Sequence, residues 1–133
     1  MKHLLTAAAA AALTAGCAMY APAEPTPEAQ NRLAEALQGR TAAGPPQNCV
    51  RAADLRGNRS VDERTIIFDG VAGTVYVNQP RDGCPLIGPS RAIRTRTTGT
   101  QLCAGDIVSV FDPQTGMEYG SCALGEFTTY RRN

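Results

Sequence analysis

Apolar and polar residues along the chain form three successive patterns. A mostly apolar run over residues 4–15 follows the positive end made by Lys2 and His3; this is the pattern of an export signal, and the run is too short to span a bilayer as a permanent helix. The second pattern is a narrow apolar stripe at helical spacing, formed by Ala29, Leu33, Ala36 and Leu37. From Cys49 onward, short apolar runs alternate with turn residues, which is typical of β-strands.

The apolar stripe predicts a short helix over about residues 27–38. Thr26 can cap its first turn and Gly39 can end it. A helix of about three turns is marginal in water by itself, so it is expected either to dock on the body of the protein or to fray. The proline- and alanine-rich segments on either side, residues 17–27 and 41–48, predict extended linkers.

The strand-like runs predict an all-β fold: a small, disulfide-stapled antiparallel β-barrel or sandwich, preceded by a signal segment and one short helix. In order, the main runs are residues 65–68, 74–78, 91–98, 106–112, 117–124 and 126–132. The first two flank a glycine-bearing connection suited to a hairpin. The third carries three arginines and suits a solvated edge, and the last is expected to add a further edge. In the fourth, Ile107, Ser109 and Phe111 face one way and Val108 and Val110 the other.

A length of 133 residues allows one folded domain. The patterns divide the chain into a signal peptide over residues 1–16, a tether with the short helix over 17–48, and a four-cysteine β domain over 49–133. Export places the folded part on an oxidising side of the membrane.

Charge and residue usage exclude several kinds of chemistry. After the leader the chain holds 12 arginines and 12 acidic residues, since Lys2 and His3 are the only lysine and the only histidine. A neutral body argues against nucleic acid as a partner, because such binding needs a positive excess. Without histidine or lysine beyond the leader, Ser–His–Asp catalysis, histidine-ligated zinc and Schiff-base chemistry are excluded from the body.

Four cysteines of the body, Cys49, Cys84, Cys103 and Cys122, are an even number in an exported protein and predict two disulfides. No Cys-x-x-Cys pair is present, so neither a thioredoxin-like redox site nor a zinc ribbon is favoured. Three pairings are possible. We prefer Cys84–Cys103 with Cys49–Cys122, which would pin the ends of the domain and staple its middle.

Cys17 follows the small residues of "LTAG", and this stretch looks like the lipobox of bacterial lipoproteins. In such proteins the cysteine is acylated and becomes the first residue of the mature chain, and several acyl chains anchor firmly. The alternative is simple secretion with cleavage after Ala23, which would remove Cys17. The extended segment behind Cys17 favours the anchor, because a tethered domain needs one.

Five segments of the body carry a family resemblance: "CVRAADL" (49–55), "VDERTIIF" (61–68), "YVN…CPL" (76–86), "LCAGDIVSV" (102–110) and "CALGEF" (122–127). Together they resemble a family of small proteobacterial envelope proteins that has no assigned activity. The resemblance implies a lipoprotein or secretory leader followed by a four-cysteine domain. It implies nothing about chemistry.

Several polar residues are candidate sites. Asp106 is expected to cap the turn into its strand by accepting backbone N–H bonds. Asp62 and Glu63 lie in a turn sequence, where neighbouring carboxylates point apart. Arg94 and Arg96 share one face if 91–98 is a strand. With Arg91 they form a basic patch that could bind an anionic ligand or an acidic protein partner. The alternative interpretation of these arginines is a solvated edge strand with no partner. Asp82 is the only acid near it in sequence.

The residues therefore predict a non-catalytic binding or accessory module of the bacterial cell envelope, lipid-anchored through Cys17 and facing the periplasm, or else secreted or soluble in the periplasm. A protein–protein role, such as inhibiting or shielding against an enzyme, is the concrete hypothesis. The alternatives are a hydrolase or lyase using carboxylates alone, which requires two carboxylates in one pocket, and a purely structural envelope component. No cofactor and no metal are expected.

Overall fold

A computed structural model describes residues 24–133, which hold one α-helix and ten β-strands. The predicted signal segment and Cys17 lie outside these residues. The helix α1 spans Pro27–Leu37. The strands are β1 (Arg40–Ala42), β2 (Cys49–Arg51), β3 (Leu55–Asp62), β4 (Thr65–Gly70), β5 (Val75–Asn78), β6 (Ala92–Thr95), β7 (Gln101–Cys103), β8 (Ile107–Phe111), β9 (Glu118–Ala123) and β10 (Phe127–Arg132).

All strand pairs are antiparallel and form three sheets. A five-stranded sheet has the order β1-β10-β5-β4-β3, a three-stranded sheet the order β6-β8-β9, and β2 pairs with β7 alone. The predicted hairpin is confirmed, since β4 and β5 pair from Ile66 opposite Asn78 to Asp69 opposite Val75. The prediction of an all-β fold is also confirmed. Of the two predicted forms, the sandwich describes the sheets, since they do not close into a barrel.

The five-stranded sheet is covered on both faces. On one face Ile66, Phe68 and Phe127 join the main core with inward residues of the other sheets, among them Val108 and Val110. On the opposite face a second core lies under the helix; its members are Ala29, Ala36, Val61, Ile67, Val75 and Val77. Burial on both faces explains why β4 reads as a continuous apolar run rather than an alternating one.

The helix docks on the five-stranded sheet and does not fray, which is one of the two outcomes expected from the sequence. Its start is the predicted one, because the Thr26 hydroxyl accepts a hydrogen bond from the Ala29 N–H at 3.2 Å. Gly39, which ends the helix as predicted, has a φ of +68°, a conformation that glycine adopts without steric cost.

Two asparagines tie segments that are distant in sequence together through their side-chain amides. Asn78, which is completely buried, donates to the Gly125 carbonyl at 2.7 Å and accepts from the Gly125 N–H at 3.0 Å. Asn58 makes the same pair of bonds with Ile93, at 3.0 Å and 2.9 Å. Each amide thereby satisfies one donor and one acceptor of the backbone of a single residue.

The preferred disulfide pairing is wrong. Cys49 bonds to Cys103 and Cys84 bonds to Cys122. The reason is strand register: Cys49 on β2 lies directly opposite Cys103 on β7, a pairing between segments 54 residues apart that sequence spacing does not reveal. Cys122 on β9 instead bonds Cys84, in the loop between β5 and β6.

Two segments are more integrated than predicted. Residues 41–48, predicted as a linker, contribute the end of β1 and an isolated bridge between Gln47 and Phe127. Because β1 pairs with β10, the last strand is not the predicted edge but lies between β1 and β5.

Candidate functional site

The outer face of the three-stranded sheet is open to solvent. The register places Arg94, Ser109 and Ser121 side by side across β6, β8 and β9. Ile107 on the same side of β8 is 65% exposed, whereas Val108 and Val110 are buried in the core. We call this surface the β6–β8–β9 face; its residues are Arg94, Arg96, Ile107, Ser109, Phe111, Glu118 and Ser121.

Two arginines of the predicted patch meet on one carboxylate. Arg94 and Arg96 both approach Oε1 of Glu118, at 3.1 Å and 3.4 Å. Exposed ion pairs of this kind add little to stability, about 0–1 kcal/mol. Two guanidinium groups against one carboxylate leave one positive charge in excess on the face.

An aromatic ring supports the first of these arginines. The guanidinium carbon of Arg94 lies 4.3 Å from the centroid of the Phe111 ring, a cation–π contact that holds the side chain flat on the sheet. With Ile107 exposed nearby, the face combines arginine, aromatic and aliphatic groups, the residue types enriched at protein–protein interfaces.

Arg91 does not contact Glu118 as Arg94 and Arg96 do, but has other partners. Its guanidinium lies 3.8 Å from the Tyr119 ring centroid and donates to the Leu86 carbonyl. The structure therefore divides the predicted patch: Arg94 and Arg96 act together on Glu118, whereas Arg91 braces the loop that contains Cys84.

That loop presents an exposed leucine in an uncommon conformation. The Ile87 N–H donates to the Cys84 carbonyl at 3.2 Å, which closes a turn with Pro85 and Leu86 at its centre. Leu86 has a φ of +69° and is 57% exposed. Leucine rarely occupies this left-handed region, and strained residues of this kind concentrate at binding sites. The disulfide to Cys122 fixes the loop against β9.

A cleft of about 730 Å³ lies beside the Cys49–Cys103 disulfide. Its lining includes both of these cysteines together with Arg81, Asp82 and Glu126. Two carboxylates on one cleft are what the hydrolase or lyase alternative needs, but both are exposed, unlike the partly desolvated carboxyl groups of acid–base catalysis.

Two other carboxylates named from the sequence, those of Asp106 and Asp62, have local backbone partners. Asp106 accepts from the Cys103 N–H at 2.8 Å, which confirms the predicted turn cap. Asp62 accepts from the Arg64 N–H at 2.8 Å within the turn between β3 and β4. Glu63 bonds through its main chain, whose carbonyl accepts a hydrogen bond from the Cys84 N–H.

Within residues 24–133, no cluster of three or more histidine, cysteine, aspartate or glutamate side chains is arranged to hold a metal ion. No helix in this part of the chain is long and apolar enough to cross a membrane.

Comparisons with models of protein families, with curated proteins and with solved structures found no match to the chain. The resemblance to small proteobacterial envelope proteins therefore stays a prediction.

Sequence reasoning missed Glu118 as the partner of Arg94 and Arg96; the only acid it noted near the patch was Asp82. Glu118 pairs with Phe111 on one side of β8, and Arg94 pairs with Ser109 on the other side, so only the strand order β6-β8-β9 brings the arginines to this carboxylate. The alternation of β8 was available from the sequence, but both of its sides carry apolar residues, and the pattern did not say which side faces solvent.

Proposed function

We propose that this chain is a non-catalytic binding module of the bacterial cell envelope, held at the membrane through an acylated Cys17, and that it binds a protein partner through the β6–β8–β9 face. The observation that carries the proposal is an open sheet face on which Arg94, Arg96, Phe111 and Ile107 lie together. Two disulfides and two cores give that face a rigid support, which lowers the entropy lost on binding.

The chemistry of the face indicates the chemistry of the partner. The excess positive charge and the two guanidinium groups favour carboxylate side chains, which arginine binds in a planar, two-pronged geometry. Ile107 and Phe111 favour an apolar group beside those carboxylates. An acidic surface loop of an envelope enzyme fits this description, in keeping with an inhibiting or shielding role.

Co-isolation from envelopes, with matched charge variants, tests the binding face. We expect Arg94→Glu with Arg96→Glu to reduce the recovered partner at least tenfold, because the substitution replaces attraction by repulsion. Arg131→Glu with Arg132→Glu is the matched control: it changes the net charge equally, at exposed positions of β10, and should leave recovery unchanged. Equal recovery from both double variants would refute the proposed face.

The anchor is tested separately by the intact mass of the protein extracted from membranes. Acylation predicts a chain that begins at Cys17 and carries fatty acyl groups. An unmodified chain that begins at Glu24 would show secretion instead, without affecting the proposal for the binding face.

The second candidate function is the carboxylate-only hydrolase or lyase, favoured by the position of Asp82 and Glu126 on one cleft. It predicts that Asp82→Asn or Glu126→Gln abolishes the protein's effect in cells, and that Arg94→Glu with Arg96→Glu does not. The opposite outcome favours the binding module.

A further inference from the structure

The two disulfides differ in their surroundings although they close loops of similar length. Cys84 and Cys122 are buried, with 0% and 8% of their surface exposed. Cys49 and Cys103 are only partly buried and both line the 730 Å³ cleft. The two bonds close loops of 54 and 38 residues. The entropy of closing these loops is similar, so loop length does not make one bond much more stable than the other. Access to the sulfur atoms does distinguish them.

We propose that Cys49–Cys103 is a thiol–disulfide exchange site that reacts with a dithiol entering the cleft, whereas Cys84–Cys122 is a permanent structural bond. Exchange requires a thiolate to reach one sulfur atom of the disulfide, and exposed disulfides are the labile ones. The cleft provides that approach, whereas the surroundings of Cys84 exclude it.

The exchange proceeds in two steps. A thiolate of the dithiol attacks Sγ of one cysteine, forms a mixed disulfide, and expels the other Sγ as a thiolate. The second thiol of the dithiol then attacks the mixed disulfide and releases the first cysteine. The dithiol is oxidised to a disulfide, and Cys49 and Cys103 together gain two electrons and two protons.

The surrounding contacts keep the strands in place when the bond opens. Val50 and Leu102, paired next to the disulfide, are buried in the main core at 4% and 1% exposure. The Ala104 N–H donates to the Asn48 carbonyl at 2.7 Å, which ties the two segments on the other side. Reduction should therefore free two thiols without unfolding the domain, and the same register should allow the bond to form again.

The site is also connected to the β6–β8–β9 face. Cys103 leads through the turn capped by Asp106 directly into Ile107 of that face. Opening the disulfide releases one constraint on this turn. That connection rests on the proposed function; the exchange site itself does not.

The test is graded reduction of the native, oxidised protein with dithiothreitol, followed by alkylation and mass analysis of each cysteine peptide. We expect Cys49 and Cys103 to become alkylated at least tenfold faster than Cys84 and Cys122. Reduction of both disulfides at the same rate, or of Cys84–Cys122 first, would overturn the proposal.

A second experiment tests the approach of a protein dithiol. A thioredoxin-fold oxidoreductase whose resolving cysteine is replaced by alanine should be trapped as a mixed disulfide on Cys49 or Cys103. Trapping should disappear with Cys49→Ser plus Cys103→Ser, and should persist with Arg94→Glu plus Arg96→Glu. Trapping on Cys84 or Cys122, or loss of the native circular dichroism spectrum when Cys49–Cys103 alone is reduced, would contradict the account.

Discussion

At the scale of single residues, two side-chain amides supplement the apolar core in holding distant segments together. Asn58 and Asn78 each present a donor and an acceptor to the backbone N–H and carbonyl of one residue distant in sequence, Ile93 on β6 and Gly125 between β9 and β10. Buried polar groups of this kind cost stability unless they are fully paired. Because both groups of each amide are satisfied, Asn58 holds β3 against β6 and Asn78 holds β5 against the loop between β9 and β10.

The first prediction concerns Asn78. Asn78→Ala leaves the buried N–H and carbonyl of Gly125 without partners, and an unsatisfied buried group costs about 1–3 kcal/mol. We expect the free energy of unfolding to fall by about 3 kcal/mol, measured by urea denaturation with the disulfides intact. Asn58→Ala, at a half-buried position that water can reach, should cost less; a larger loss at Asn58 would contradict this interpretation.

Residue roles that depend on local sequence were predictable, and those that depend on register were not. Thr26 and Asp106 bond to backbone groups three residues away, so the neighbouring sequence was enough to assign them. Glu118 lies 22 residues from Arg96 in sequence, and Asn78 lies 47 residues from Gly125. Their partners follow only from how the strands pair.

At the scale of elements, the helix links the N-terminal segment to the β domain. Ala29 and Ala36 are buried against the five-stranded sheet, and Arg32 donates to the Val61 carbonyl on β3 at 2.7 Å. Strand β1 follows directly and extends the same sheet. The folded unit therefore begins before Cys49, because residues predicted as tether supply a helix and a strand.

The second prediction concerns the helix cap. Thr26→Ala removes the acceptor for the Ala29 N–H and should lower the free energy of unfolding of the whole domain by about 1 kcal/mol. Thr26→Asp keeps an acceptor and places a negative charge at the positive end of the helix, so it should retain stability. If Thr26→Ala leaves global unfolding unchanged, the helix frays independently and does not belong to the cooperative unit.

For the disulfides, the sequence predicts which cysteines are bonded but not which cysteine bonds to which. The sequence predicted that the four cysteines pair among themselves, which the structure confirms. It did not predict the pairing, since four cysteines allow three connectivities and only the β2–β7 register selects Cys49–Cys103.

At the scale of the whole molecule, the all-β architecture followed from short apolar runs between turns. The strand number did not: six main runs were predicted, whereas residues 24–133 form ten strands, and those at 40–42, 49–51 and 101–103 were too short to recognise. The helix covers one side of the sandwich and leaves the β6–β8–β9 face open on the other. This asymmetry is the basis of the functional proposal. Both faces of the five-stranded sheet are buried, whereas Ile107 and Phe111 lie beside two arginines at the surface of the three-stranded sheet.

The most direct test of the central claim is photo-crosslinking in living cells from Ser121, an exposed position on the β6–β8–β9 face. A crosslinking amino acid at Asn31, exposed on the helix, serves as the matched control. The account predicts a discrete crosslinked partner from position 121 that disappears with Arg94→Glu plus Arg96→Glu, and no such product from position 31. The absence of any product from position 121, or the same product from both positions, would contradict it.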